Sequence, residues 1–365
     1  MKNILIAIRS IFKKGRHNVM KIVSLGIGLA VGLVLIAKVY FEQSYDDFYP
    51  DRDRVYQVWA KYQQNGGELK DYPQTSGGIA PTMQQQIPEI ETVTRYTSFG
   101  DWTFTMTDTK MKYSGRCIIA DSCFFDILPR PMLIGNAKEV LSTPMYVLVS
   151  SRIAKNIGGD VIGKNFTVDS SPGRTMTIGG VFEEVPENSH SRYDVIVSMA
   201  SAGRFMWEGS PTNMLGNDRY ISYVKLHKGV NPLALEEQVH TFVNSYFPPE
   251  EQQKTGFNIG FSFHELDGLH KELPQVKRMT WILSLLAFAL IFTAVMNYIL
   301  IVISSIVNRS KEVAVHKCYG ASENNIHGMM FGEALVHIVL SLILALLLIL
   351  AFRGTVEELL ATSLD

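Results

Sequence analysis

The sequence predicts a membrane protein with three transmembrane α-helices and a large α+β domain inserted between the first helix and the second. Three uncharged runs carry this prediction, and they cover residues 22–37, 279–308 and 334–352 of the 365-residue chain. Each run reaches or approaches the roughly 20 residues that a helix needs to cross about 30 Å of hydrocarbon. The long stretch between the first two runs mixes strand-like and helix-like patterns, which indicates a folded domain outside the bilayer.

The first run is interpreted as a retained anchor. A basic stretch followed by an apolar run also describes a cleaved secretory signal. No small-x-small cleavage pattern follows Ala37, however, because the chain continues with Lys38 and Val39. The Lys38 ammonium can snorkel to the lipid headgroups, so the span is expected to extend to about residue 41.

The placement of Lys and Arg predicts the orientation. Six basic residues precede the first uncharged run at 22–37, namely Lys2, Arg9, Lys13, Lys14, Arg16 and Lys21. This excess places the N-terminus in the cytoplasm. The predicted segments are an interfacial helix over 1–18, spans over 19–41, 279–305 and 329–352, an outer domain over 42–278, an inner loop over 306–328 and an outer tail over 353–365.

The membrane-facing segments carry three features of interest. Apolar residues from Ile4 to Phe12 recur at helical spacing among basic residues, which is typical of a helix in the membrane interface. Gly28-x-x-x-Gly32 predicts the close approach of another helix, although such small-residue pairs also occur by chance. His337 is expected to be a buried, hydrogen-bonded side chain, with proton sensing as the alternative.

The outer domain is predicted to be α+β. Its expected strands are 55–62, 174–182 and 220–226, its expected helices are 75–86, 151–156 and 232–247, and its expected turns are 170–173 and 208–217. Cys117 and Cys123 lie in this domain. The sequence leaves open whether they form one disulfide or remain two thiols.

Several segments of the outer domain look like catalytic or binding motifs, but the sequence argues against each. Residues 158–165 nearly match a phosphate-binding loop, yet Asn165 occupies the hydroxyl position and the segment follows a predicted helix. Ser189, His190 and Asp194 have the residue types of a catalytic triad, but sequence neighbours seldom supply that geometry. No histidine spacing supports a metal site. We therefore expect no enzyme activity, cofactor or metal in this chain.

The inner loop combines charge with a defined shape. Lys311-Glu312-Val313-Ala314-Val315-His316-Lys317 is compatible with a helix, and Gly320 can end it. A short helix joined rigidly to the spans on either side would act as a lever that passes force into the membrane. From physics alone, an ordinary basic loop retained by the positive-inside bias is an equally good interpretation.

The residues of this loop resemble those of permease subunits in MacB/FtsX-like ABC systems, the macrolide-exporter and cell-division type. That family's loop is approximately R-x-K-E-[IV]-G-[IV]-R-K-x-L-G-A-[ST]. The matching residues are Arg309, Lys311, Glu312, Val313, Val315, Lys317, Gly320, Ala321 and Ser322. Ala314, His316 and Tyr319 depart from the commonest residues. Segments 45–58 and 180–190 look like the start and a later signature of the family's periplasmic core domain, so the resemblance covers nearly the whole chain.

The resemblance implies a multi-pass permease of the bacterial inner membrane. A separate ABC ATPase subunit would bind ATP and dock on the loop around residues 309–322. Its ATP-driven dimerisation would move the spans and rearrange the periplasmic domain, for export (efflux) or for mechanotransmission. Further partners implied are a second permease copy or half, a periplasmic adaptor or hydrolase, and membrane lipid; no nucleic acid is expected.

Two questions stay open from the sequence. The alternative function is regulation of a periplasmic cell-wall hydrolase by the same type of ATPase, without cargo transport. A pull-down with the outer domain separates the two, because a hydrolase favours regulation and an outer-membrane channel or adaptor favours export. The resemblance also implies a fourth span, whereas the sequence stops at Asp365. We interpret the chain as an N-terminal half or fragment, with an unusually short family member as the alternative.

Overall fold

The computed structural model describes residues 18–216, 218–308, 315, 318 and 323–360. The chain divides into two compact units. One combines residues 1–44 with 271–365 and is hereafter the membrane unit; the other is Tyr45–His270, hereafter the outer unit. The predicted interfacial helix before Asn18 and most of the inner loop lie outside the described residues.

The helices and strands of the described residues are named in chain order. The α-helices are α1 (Asn18–Gln43), α2 (Ile79–Gln86), α3 (Phe124–Ile127), α4 (Ala137–Ser142), α5 (Ser151–Ile157), α6 (Ala202–Phe205), α7 (Glu236–Tyr246), α8 (Pro249–Thr255), α9 (Gly268–Lys271), α10 (Pro274–Asn308), α11 (Glu323–Ala351) and α12 (Arg353–Leu360). The strands are β1 (Val55–Gln64), β2 (Lys70–Tyr72), β3 (Ile90–Met106), β4 (Lys112–Ala120), β5 (Met132–Ile134), β6 (Tyr146–Ser150), β7 (Asn165–Val168), β8 (Ser171–Phe182), β9 (Val195–Ser198), β10 (Ile221–Leu226) and β11 (Phe257–Glu265).

The membrane unit contains three helices, α1, α10 and α11, that are long and apolar enough to cross a bilayer. Within the described residues this confirms the three predicted apolar helices. α10 begins at Pro274, earlier than the predicted span, because proline suits the first helical position. The side of the membrane that each helix end faces stays a prediction. The tail after α11 forms the short polar helix α12.

The strands of the outer unit form one sheet in the order β11-β1-β10-β3-β4-β9-β6-β8-β5, with β2 on β1 and with β7 pairing β3 and β8. The elements β1-α2-β3 and β10-α7-β11 place four strands as β11-β1-β10-β3, and all neighbours in this set are antiparallel. That arrangement is the split βαβ pattern of ferredoxin-like sheets. Everything between β3 and β10 is an insertion into it, and it adds the parallel pairs β4–β9 and β6–β8. The α+β class is confirmed.

Three apolar clusters hold the outer unit together. One packs α2 and α7 onto the ferredoxin-like strands around Met83 and Phe242. A second fills the inserted part around Phe166. The third lies around Tyr49 and Tyr223 and includes residues from the first and last segments of the unit. Full burial of one such side chain contributes about 1.5–3 kcal/mol, so these clusters dominate the stability of the unit.

Two predicted boundaries were wrong for identifiable reasons. The helix expected from Thr75 begins at Ile79, because the backbone of Thr75 instead forms an isolated antiparallel bridge with Tyr220. The turn expected over 170–173 is shorter, since β8 already begins at Ser171 and pairs there with Val168. The helix expected over 232–247 starts as a 3-10 turn and continues as α7.

Candidate functional site

The predicted ATPase-contact residues fall in a part of the chain that the structure barely describes. Arg309, Lys311, Glu312, Val313, Lys317, Gly320, Ala321 and Ser322 all lie outside the described residues. Between Asn308 and Glu323 the structure describes Val315 and Cys318, and both are exposed. The docking role of the loop therefore stays a prediction. The structure does describe the two helices that flank the loop and the helix that both of them contact.

The glycines of the first span lie where α1 packs against α10. A Cβ placed on Gly28 would come within 2.2 Å of the Cβ of Ala294. A Cβ on Gly32 would come within 2.5 Å of Cγ1 of Ile291. Only glycine therefore permits this approach of the two helices. The sequence identified both positions by spacing but could not say which helix they meet.

The same helix contacts α11 at a third glycine, Gly26, where a Cβ would come within 2.9 Å of Cδ2 of Leu344. A Cβ on Gly26 would come within 3.2 Å of the backbone oxygen of Ser341. The Ser341 hydroxyl donates a hydrogen bond to the backbone oxygen of Ile22 at 3.1 Å. Close backbone approach and interhelical hydrogen bonds are the main attractions between helices in lipid. α1 is thus held by both helices that lead into the inner loop.

His337 lies inside the membrane unit. Its side chain is buried, and its Nδ1 atom lies 3.4 Å from the hydroxyl of Tyr298 on α10. This contact links α10 to α11. It fits the expectation of a buried, hydrogen-bonded histidine between helices.

The first segment of the outer unit, residues 45–55, contacts its last segment, residues 266–270, and we call this pair of segments the neck. The rings of Tyr45 and His270, the two terminal residues of the unit, stack with centroids 3.5 Å apart. Arg52 Nε lies 3.0 Å from Asp267 Oδ1. The N–H of Leu266 donates to the oxygen of Val55 at 2.9 Å. The two chain segments that lead to the membrane helices therefore leave the outer unit as a pair.

A buried polar network ties the neck to the loop before β9. Asp46 is 1% exposed and holds a left-handed backbone conformation, with φ of 61°. Its Oδ2 atom lies 2.7 Å from Nδ1 of His190. The Nε2 atom of that ring lies 2.5 Å from the hydroxyl of Tyr223 on β10. The hydroxyl of Ser189 donates to Oδ1 of Asp46 at 3.1 Å.

This network explains two residues that resembled a catalytic triad. The Ser189 hydroxyl donates to Asp46, and the two ring nitrogens of His190 contact Asp46 and Tyr223, so the imidazole is not paired with the serine as a triad requires. Asp194 lies elsewhere: its Oδ1 atom accepts from Arg152, and its Oδ2 atom accepts from the N–H of Arg116. The arrangement suits a structural clamp. Sequence reasoning missed Asp46 and Tyr223 as the partners of His190.

The electrostatics around the clamp favour neutral phenols. Burial raises the pKa of Tyr223 well above its usual value, with nearby Tyr96 and Asp46 adding to the effect. Burial also raises the pKa of Tyr96 to about 12, against the opposing hydrogen bonds from Ser191 and Tyr223. Tyr223 therefore keeps its proton over the physiological range, and its hydroxyl can donate a hydrogen bond to a carboxylate or imidazole acceptor.

The other sequence motifs have structural roles. In the segment that resembled a phosphate-binding loop, the ammonium of Lys164 donates to the backbone oxygen of Gly158 at 3.3 Å. Cys117 and Cys123 are both free thiols, and Cys117 is buried in β4. No group of three or more His, Cys, Asp or Glu side chains suited to a metal ion occurs among the described residues.

The architecture is that of a membrane protein with a large inserted domain. In the described part of the chain, three apolar helices are long enough to cross a bilayer, and an α+β unit is inserted in the chain after the first of them. Family models match residues 20–242 as a MacB-like periplasmic core domain and residues 284–364 as an FtsX-like permease C-terminal region. The chain belongs to the MacB/FtsX-like ABC permease family. It is a component of an ABC-type permease.

Three solved structures are similar to part of this chain. A domain described as part of a permease from Porphyromonas gingivalis is 32% identical, with a TM-score of 0.54, over 60% of this chain and 91% of that chain. The periplasmic region of MacB from Actinobacillus actinomycetemcomitans is 16% identical, with a TM-score of 0.36, over 56% of this chain and 87% of that chain. The extracellular domain of the noncanonic ABC-type transporter YknZ from Gram-positive bacteria is 10% identical, with a TM-score of 0.40, over 56% of this chain and 98% of that chain. No curated protein matches the chain in sequence.

Proposed function

We propose that this chain is the permease subunit that converts the work of a separate cytoplasmic ABC ATPase into movement of the periplasmic outer unit, for export or mechanotransmission. The chain itself is not an enzyme in this proposal, and ATP binds to the partner subunit. The loop around Glu312 and Lys317 is the docking site, and the inner membrane is the location.

One observation carries the proposal. α1 packs through Gly28 onto α10 and through Gly26 onto α11, which are the helices on either side of the inner loop. At these glycines the helices are in close contact, with Ala294 against Gly28 and Leu344 against Gly26, so little free volume remains to absorb a displacement. A displacement of α10 or α11 by the ATPase would therefore move α1 as well.

The neck supplies the second half of the relay. α1 ends at Gln43, just before Tyr45, and α10 begins at Pro274, just after His270. Since Tyr45 and His270 stack on each other, a pull carried along either chain segment would reach the same pair of residues in the outer unit. The clamp formed by Asp46, His190 and Tyr223 passes that pull to the inserted part and to β10.

The docking step is tested by reversing charge in the loop. Glu312→Lys and Lys317→Glu should weaken co-purification of the ATPase, because both residues sit where complementary charges set partner choice. Membrane insertion and folding of the outer unit should be unchanged. A matched control is Glu250→Lys with Lys254→Glu on α8, where the same two reversals fall on exposed outer-unit residues. Undiminished co-purification of the loop variant would count against the proposal.

A further inference from the structure

The edge of the outer-unit sheet at β11 has the features of a peptide-binding site. β11 is the last strand in the sheet order, and among the described residues it pairs with β1 alone. An edge strand with free backbone groups can accept another strand. Proteins that use such an edge recognise extended peptides by main-chain hydrogen bonds and by pockets for alternate side chains.

The direction of the backbone groups of β11 follows from three hydrogen bonds. At the two ends of β11, the backbone oxygen of Gly256 accepts from the N–H of Asn65, and the N–H of Leu266 donates to the backbone oxygen of Val55. The backbone N–H and C=O groups of the even-numbered residues therefore face β1. The N–H of Ile259 points the other way and donates to Oε1 of Gln252 on α8, at 3.1 Å. Backbone groups alternate in direction along a strand. Those of Phe261 and Phe263 therefore point outward, and no group in the described part of the chain pairs with them.

A groove of about 460 Å³ runs between this edge and helix α7. Val239 and Val243, one helical turn apart, form the apolar part of its helix wall, which Glu236 and His240 also line. Ile259, Phe261 and Phe263 present their side chains to the same cluster as the two valines. A strand added beside β11 would place every second side chain against this wall. The groove therefore selects apolar residues at alternate positions of the added strand.

The opposite face of the same edge carries a cation. Lys61 on β1 is directly opposite Gly260, which has no side chain to cover it, and Lys61 also lines the groove. Its neighbour on β2 is Asp71, but no carboxylate of the described residues lies within ion-pair distance of the Lys61 ammonium. The residues of an added strand that lie between the apolar ones would face this lysine. A carboxylate at that position would complete the charge pairing.

We propose that the β11 edge and its groove bind an extended segment of a periplasmic partner protein, in which apolar residues alternate with acidic ones. A second copy of this chain fits less well. Antiparallel pairing of two β11 strands would place Asn258, Gly260, Ser262 and His264 of the copy on the face of Lys61, and none of these carries a carboxylate. It would also bring a second Lys61 to the same face.

The proposal is tested with the full chain in detergent and three fluorescein-labelled peptides. Val-Asp-Val-Asp-Val should bind, as followed by fluorescence anisotropy. Val-Lys-Val-Lys-Val should bind about tenfold more weakly, a loss of about 1.4 kcal/mol, because its ammonium groups would face the ammonium of Lys61. Val-Asp-Pro-Asp-Val should also bind weakly, because proline removes a backbone donor. Equal affinity for the three peptides, or no binding of the first, would overturn the proposal.

A charge swap in the protein sharpens the test. Lys61→Glu should weaken binding of the acidic peptide and strengthen binding of the basic one, and the second effect shows that the variant is folded. Lys155→Glu, an exposed lysine on α5, is the matched control and should change neither affinity. No effect of Lys61→Glu would sink the proposal. Disulfide-linked dimers of a Ser262→Cys variant, made in a Cys123→Ser, Cys318→Ser background so that no native thiol outside the buried Cys117 competes, would assign the edge to a second copy and would likewise overturn it.

The inference rests on the proposed function only in taking the outer unit to be periplasmic. The peptide experiment needs no ATPase, so its failure would leave the docking of an ATPase on the loop untouched. Conversely, undiminished co-purification in the loop charge-reversal experiment would leave the peptide result intact.

Discussion

The outer unit and the membrane unit differ in which side chains they bury. In the described residues, the largest fully buried side chains, among them Tyr49, Phe104 and Phe166, all belong to the outer unit. In the membrane unit the buried apolar residues include Ala287, Ala294 and Ala345, whereas Trp281, Phe288 and Phe331 are 78%, 66% and 72% exposed.

The solvent explains this reversal. Water drives large apolar side chains into the interior of the outer unit, because the gain scales with the apolar area removed from water. Lipid tails are as apolar as leucine, so burying a large side chain between membrane helices gains little there. The attraction between membrane helices then depends on how closely their backbones approach, and small residues permit a close approach. The membrane unit therefore buries small residues such as Ala294 beside larger ones such as Leu25 and Tyr298, whereas the largest fully buried side chains lie in the outer unit.

The largest expected effect is the loss of stability when a buried phenylalanine of the outer unit is replaced by alanine, and an exposed phenylalanine of the membrane unit is the comparison. Phe166→Ala should lower the free energy of unfolding of the outer unit by about 3–5 kcal/mol, because the residue is fully buried in the inserted part. Phe288→Ala, on the exposed face of α10, should cost less than about 1 kcal/mol. Denaturant titration of the full chain in detergent, followed by near-ultraviolet circular dichroism, measures both. Equal losses would remove the contrast between the units.

A smaller effect is expected from enlarging a glycine at the helix contact. Gly28→Leu should destabilise the membrane unit by about 1–3 kcal/mol, because its Cβ would collide with Ala294. Gly332→Leu on α11 is the control, since a Cβ there meets no atom within 4 Å. The midpoint of thermal loss of the helical circular dichroism signal should fall for the first variant and not for the second. A similar fall in both would show that small-residue contact does not hold these helices.

The smallest effect is expected at the surface of the outer unit, where water screens charge. Hydrogen bonds from Lys225, at 2.6 Å, and Arg54 hold the pKa of Asp51 below its usual value. A carboxyl with a lowered folded-state pKa adds stability above its unfolded value of about 3.9 and loses it as the pH falls through the folded-state value. Asp51→Asn should therefore cost about 0.5–1 kcal/mol at pH 7, after allowance for its partial exposure.

The pH dependence supplies the check on this third prediction. Urea titrations of the native chain and of Asp51→Asn should give curves that differ at pH 7 and converge as the pH falls through the lowered folded-state pKa of Asp51. A difference that persists unchanged in acid would mean that the asparagine perturbs packing instead of removing an ion pair.

The sequence predicted what depends on local pattern and missed what depends on distant pairing. The three apolar helices and strands such as β1 follow from run length and residue type. The start of α2 was wrong because Thr75 pairs with Tyr220, far along the chain. The clamp was missed for the same reason: His190 was considered with Asp194, four positions away, whereas its partner Asp46 is 144 positions away. Both Asp46 and His190 lie in segments that resemble the family, and that shared resemblance was the one signal that could have paired them.

The proposed relay requires the loop and the outer unit to lie on opposite sides of the membrane, and the sidedness of thiol labelling tests this central claim most directly. Cys318 is exposed, whereas Cys117 is buried and burial raises its thiol pKa, so Cys117 should stay unreactive. In a Cys123→Ser background, a membrane-impermeant maleimide should label Lys254→Cys in intact spheroplasts and label Cys318 only after detergent permeabilisation. Labelling of both positions in intact spheroplasts, or of neither, would contradict the account.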